Sequence, residues 1–220
     1  MITRLMTRHL VPLIACALLA GCAGTKPAAY NGIASSPYLT PDPDDASDRT
    51  PYRYAARVNW NGYRKLVLDN VSIYKGADHQ FADISEGEKT ELATYMQARF
   101  AEKLGTRFQI TDSPAPDTLR VALTLTGAEK TTPVLGTVSR FDLLGGVYNG
   151  VQSFRDREGT FTGSVIYAVE VYDAQTSRLL MAYISRQYPN PMNIGASIGA
   201  LEAAKTGIEK GAEDIVDRLK

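Results

Sequence analysis

The 220 residues predict a single α/β (α+β) domain, with a signal peptide and a flexible tether ahead of it. Its core is a mixed, mostly antiparallel sheet of about five strands with two main helices packed on it. Three observations carry this. Thr118–Glu129 alternates, with Leu119, Val121, Leu123 and Leu125 against Arg120, Ala122, Thr124 and Thr126, as a half-buried strand does. A capping box at Ser85–Glu88 opens a run with helical apolar spacing. The last twenty or so residues repeat that spacing and follow two β-rich stretches, so strands and helices must form two layers around one core.

Taken in order, Lys65–Tyr74 is β-branched and partly alternating and reads as a strand, with Val67, Val71 and Ile73 on one side. The capped helix carries Leu92, Tyr95, Met96, Phe100 and Leu104 on one face, and Gly105 stands where a C-terminal cap belongs. Thr106–Thr111 is a short strand and Ser113–Asp117 a turn, leading into the alternating strand. Phe161–Tyr172 and Leu179–Tyr188 are strands joined by Asp173–Arg178 as a hairpin loop. The final helix is expected over Ser197–Leu219, with Ile198, Leu201, Ala204, Ile208, Ala212, Ile215 and Leu219 inward.

Between the strands, Thr131–Gln152 is apolar but broken by Gly136, Gly145, Gly146 and Gly150. A loose helix over Val134–Leu144 covering the core is one reading. A mobile apolar flap is the other, with Phe141, Leu144, Val147 and Tyr148 as candidate contacts to a partner or ligand.

The amino terminus reads as a targeting segment. Arg4 and Arg8 precede an apolar run over Leu10–Ala20, too short for the ~20 apolar residues of a bilayer span and followed by small residues. Leu19-Ala20-Gly21-Cys22 resembles the lipobox of bacterial lipoproteins. The resemblance implies cleavage between Gly21 and Cys22, lipid on the Cys22 thiol and a membrane anchor. Ala23 stands where an aspartate would, in such proteins, favour the inner membrane, so the periplasmic face of the outer membrane is expected. Several acyl chains hold firmly, at about 0.8 kcal/mol per buried methylene. Ala23 to about Arg57, rich in Pro, Ala, Ser and Asp, reads as a tether reaching roughly 30–35 Å. The domain organisation is therefore residues 1–21 signal peptide, 22–57 lipidated tether and 58–220 globular domain.

Removing the first 21 of 220 residues leaves 199, with 22 basic against 24 acidic side chains, because Arg4 and Arg8 depart. A near-neutral domain carries no electrostatic footprint for nucleic acid. Cys16 leaves with the signal and Cys22 is acylated, so no disulfide is expected and stability must come from the core.

Convergent chemistry is sparse. His79 is the one histidine left, in the polar loop Gly76–Gln80, so a zinc site of histidine and cysteine is excluded and no metal or cofactor is expected. Gly195-Ala196-Ser197-Ile198-Gly199 matches the serine-hydrolase pattern G-x-S-x-G. Pro189 and Pro191 disfavour the strand that must precede it, and no histidine follows. Ser197 then caps the last helix. The acidic run Asp42–Asp48 lacks the glycine and glutamate of a calcium loop and reads as solvated linker.

Several stretches are similar to a bacterial lipoprotein family known as domain of unknown function 3313: the lipobox, Asn31-Gly32-Ile33 through Tyr38-Leu39, Tyr63–Val71, and Val169-Glu170-Val171-Tyr172-Asp173 before Leu179–Ala182. That family brings no catalytic residues to carry over. The expectation is a non-enzymatic, outer-membrane-anchored periplasmic module that binds an envelope protein partner. A lipoprotein binding lipid or a small apolar ligand is the alternative, and a hydrolase using Ser197 a third.

Overall fold

The computed structural model describes residues 26–131, 163–190 and 199–220. In chain order the strands are β1 (Thr40–Pro41), β2 (Tyr52–Ala55), β3 (Lys65–Leu68), β4 (Ser72–Ile73), β5 (Gln80–Phe81), β6 (Gln109–Ile110), β7 (Thr118–Glu129), β8 (Ser164–Asp173) and β9 (Leu179–Gln187). Helix α1 (Glu86–Leu104) separates β5 from β6, and α2 (Glu202–Arg218) follows β9.

All nine strands found among the described residues join one mixed sheet in the order β1-β2-β9-β8-β7-β3-β6, with β4 and β5 also on β7. The sequence leads one to expect about five. Four of the nine are only two residues long, too short for any period to show. The long neighbours β7, β8 and β9 are antiparallel, whereas β3, β4 and β5 run parallel to β7 one after another.

The stretch expected as one strand over Lys65–Tyr74 is therefore two. Leu68 pairs with Val121 and Ser72 with Thr124, four residues stepping against three, so one extra residue is absorbed around Asp69–Val71. From Ile73 opposite Leu125 to Gln80 opposite Gly127 the excess grows, and Tyr74–His79 arcs off the sheet. That arc shapes the site described below.

One face of the sheet holds the expected core. Leu119, Val121, Leu123 and Leu125 meet Val165, Val169 and Val171 of β8, with Leu92, Met96, Phe100 and Leu104 of α1 above. Ala204, Ile208, Ala212 and Ile215 of α2 complete it. Ser85 caps α1 as read, accepting from Glu88 N–H while the Glu88 carboxylate returns to Ser85 N–H. Helix α2 starts at Glu202 rather than Ser197, because Gly199 has φ +126°, a backbone no helix continues through.

The other face overturns the expectation of a free tether over residues 22–57, at least from residue 26 on. Tyr30 and Ile33 are 1% and 7% exposed and pack on Ile166, Ala168, Ile184 and Tyr74. β2 adds to the sheet edge, Tyr52 opposite Ile184 and Ala55 opposite Met181, and β1 adds to β2. The acidic run is turn structure, since Asp42 pairs with Arg53 at 2.9 Å and Asp45 accepts the Thr50 N–H at 2.5 Å. The physical reason is cover. β8 is apolar on both sides, and an exposed second face would leave Ile166, Ala168 and Ile184 in water. Proline-rich composition hides this, because Tyr30, Ile33, Leu39 and Tyr52 follow no regular period.

Candidate functional site

Residues 26–39 form a strap across the second face, held by an unusual set of bonds. Its backbone donors reach side chains rather than a strand ladder. Ala28 N–H donates to Gln80 Oε1 at 3.1 Å, Asn31 N–H to Asp78 Oδ2 at 3.1 Å, Gly32 N–H to Tyr74 Oη at 3.0 Å and Ser35 N–H to Glu170 Oε1 at 2.6 Å. Gln80 Nε2 donates to Lys26 O at 2.7 Å, and the Tyr30 hydroxyl to Gln80 Oε1 at 2.5 Å. The Tyr30 and Tyr74 rings meet edge to face at 5.3 Å. Three of the four acceptors come from the Tyr74–Gln80 stretch that leaves β7.

Between strap and arc lies an open cleft of about 450 Å³. The strap backbone at Gly32–Ala34, the Ser72–Gly76 stretch, Thr124 and Glu170 line it. Register explains the polar floor. Ser72 pairs with Thr124 across β4 and β7, and Glu170 of β8 pairs with Ala122, one step diagonal to Thr124 on the same face. The Ser72 and Thr124 hydroxyls are 2.9 Å apart. Lys75 is exposed at the rim.

The Glu170 side chain is buried, its residue 6% exposed. Its hydrogen-bond donors are neutral, the Ser35 amide and the Tyr172 hydroxyl, and the Arg120 guanidinium acts on its charge through space. Burial first, then the Glu170 charge and hydrogen bond, pushes the Tyr172 phenol up to about 12, so it stays protonated and donating. Among the described residues no ion pair to Glu170 is present. Arg120, on the same face, is committed to Asp69 with contacts of 2.8–3.1 Å. At the strap, donation from the Tyr74 hydroxyl (2.6 Å) holds the Asp78 carboxyl below its usual value, and Asp78 in turn raises Tyr74.

A second polar group fastens the chain on the helix side. Arg49 Nη1 donates to Gln187 Oε1 at 3.0 Å, and Gln187 Nε2 to Asp214 Oδ2 at 3.2 Å. Arg218 Nη2 donates to Thr50 Oγ1 at 2.9 Å and lies 4.5 Å over the Tyr183 ring. Burial raises the Asp214 carboxyl. These bonds pin Arg49 to β9 and Thr50 to α2.

Of the residues the sequence singles out, Gly21, Cys22, Phe141, Leu144, Val147, Tyr148 and Ser197 lie outside the described residues. His79 is exposed, and its Nδ1 accepts the Phe81 N–H at 3.4 Å. Glu170, Ser72, Thr124 and Tyr74 are the residues sequence reasoning passes over. One signal was available: Glu170 is the single charge within the apolar run Val165–Val171. Among the described residues no group of three or more histidine, cysteine, aspartate or glutamate side chains is placed to hold a metal ion, and no helix is long and apolar enough to cross a membrane.

A family model described as a protein of unknown function (DUF3313) matches residues 29–215. No relative is found among curated proteins. Similarity to solved structures is distant. A PelC dodecamer from Paraburkholderia phytofirmans is 10% identical with a TM-score of 0.37, covering 73% of this chain and 94% of its own. Protein XCC0632 from Xanthomonas campestris is 8% identical with a TM-score of 0.34, covering 70% and 82%. Protein CT253 from Chlamydia trachomatis is 11% identical with a TM-score of 0.33, covering 71% and 95%.

Proposed function

As the chain belongs to the DUF3313 family, whose description assigns no activity, we propose from its own residues that it is a lipid-anchored module of the bacterial envelope that binds rather than catalyses. Cys22 carries the acyl chains, and the outer membrane's periplasmic face is its place. The observation that supports the anchor best is the Leu19-Ala20-Gly21-Cys22 sequence, and the strap sets how far that anchor can reach. Whatever path Cys22 takes to Lys26, four residues span at most roughly 14 Å. From there Gln80 and Asp78 bind the chain to the sheet. An anchor on Cys22 would thus hold the domain close to the bilayer instead of at the end of a 35-residue tether.

The polar groups around the cleft also support binding over chemistry. Tyr74, Asp78 and Gln80 are spent on holding the strap, and His79 is exposed rather than turned toward a nucleophile. A protein partner in the envelope remains the leading class. The cleft favours a small-ligand role as the second reading, with a polar rather than apolar floor.

Labelling with radioactive palmitate and membrane fractionation test the anchor. Wild-type protein is expected in the membrane fraction carrying label, and Cys22→Ser is expected to lose the label and accumulate uncleaved or soluble. A Cys22→Ser protein that is still labelled, processed and retained like wild type contradicts the reading.

A further inference from the structure

We propose that the cleft beneath the strap is a binding site for a primary ammonium group with a neighbouring anion, the chemistry of an aminoalkyl phosphate. Glu170 serves as counter-ion, the Ser72 and Thr124 hydroxyls accept the remaining N–H bonds, and Lys75 at the rim meets the anion.

Among the described residues Glu170 makes no ion pair, and Arg120 acts on its charge only through space. A carboxylate 6% exposed is costly unless it is paired or fully hydrogen-bonded. Glu170 has a backbone amide and a phenol, both neutral, and it lines an open cleft. The neighbouring cation, Arg120, is held by Asp69 in a two-oxygen clasp. A cation from outside completes the site.

Which cation follows from the floor. An ammonium has three donors and no acceptor, and the floor offers one carboxylate and two hydroxyls on adjacent strands of one face. A calcium ion takes six to eight oxygens, more than one carboxylate and two hydroxyls supply. A quaternary ammonium has no N–H to donate. The rim then adds the second half, because Lys75 is exposed and bordered by Gly76, giving an anion beside the ammonium a charge partner. A free aminoalkyl phosphate and a lipid head group share this chemistry. The head-group source rests on the anchored reading above; recognition of the ammonium does not.

The test is titration calorimetry on the purified full-length lipoprotein in maltoside micelles, with O-phosphoethanolamine as probe. Saturable binding is expected, at least tenfold weaker for phosphocholine, whose nitrogen carries three methyl groups. Glu170→Gln keeps an oxygen for the Ser35 amide and removes only the charge, and it is expected to weaken binding at least tenfold while the Ser35 amide stays protected from exchange. Lys75→Gln, at an exposed position, is expected to bring O-phosphoethanolamine down to the affinity of ethanolamine. Micelles doped with phosphatidylethanolamine that compete with the free probe identify a head-group site, and absence of competition identifies a soluble amine; either supports the ammonium site. No saturable binding of O-phosphoethanolamine or ethanolamine, equal binding of phosphocholine, or an unchanged Glu170→Gln affinity overturns it. Binding that persists in protein found unacylated at Cys22 would remove the anchor while leaving the site intact.

Discussion

A β-carbon built on Gly211 would stand 1.6 Å from the Tyr167 hydroxyl, so α2 crosses β8 at a distance only a glycine permits. Gly211→Ala is therefore expected to destabilise the protein by about 1–3 kcal/mol through overpacking. Adding Tyr167→Phe removes the atom in the way and is expected to recover much of that loss. Urea denaturation of the two single variants and the double variant reads the coupling. The Tyr167 partnership is not legible in the sequence, where Gly211 is only an unfavourable residue inside a good helical stripe. Glu170 is the converse: its charge within Val165–Val171 is plain in the sequence, but its surroundings come only from register, with Ala122 opposite and Thr124 diagonal. Single residues advertise oddity, and the chain's pairing supplies the meaning.

The strap is the element that composition misreads. Periodicity found α1 to within a residue and β7 to the residue, because twelve or more residues average a face clearly. It has nothing to average over Lys26–Leu39, where cover is supplied by Tyr30, Ile33 and Leu39 at irregular spacing. The indirect sign lay in β8, whose continuous apolar run demands burial on both faces. Tyr30→Ala distinguishes strap from tether, with an expected loss of about 3–5 kcal/mol against none for a free linker. The strap's latch also has an acid limb. Asp78 titrates in the folded chain below its ordinary value of 3.8, so its contribution is complete above that value and is lost as pH falls through the lowered one. Protection of the Asn31 amide is expected to fall across that window in wild type. In Asp78→Asn the dependence is expected to vanish, as read by exchange rates at a series of acid pH values.

At the scale of the whole molecule, the sheet is a two-sided layer with helices on one face and the chain's own amino-terminal segment on the other. The sequence predicts the first half of that arrangement and assigns the second to a flexible reach of roughly 30–35 Å. The difference would change the geometry of the anchored protein proposed above, because a strap bound from Lys26 onward leaves only three residues between it and Cys22, and an anchor there would keep the cleft near the membrane. It also makes the strap part of the cooperative unit, since Tyr30, Ile33, Tyr74, Ile166, Ala168 and Ile184 form one cluster on the back of the main core. Opening the strap alone would expose that cluster, so strap and sheet are expected to open together. Native-state hydrogen exchange on the full chain measures this directly. The amides of Ala28, Asn31, Gly32 and Ser35 are expected to show protection approaching that of β8. Exchange of those four amides at unprotected rates, with β8 still protected, would contradict the account.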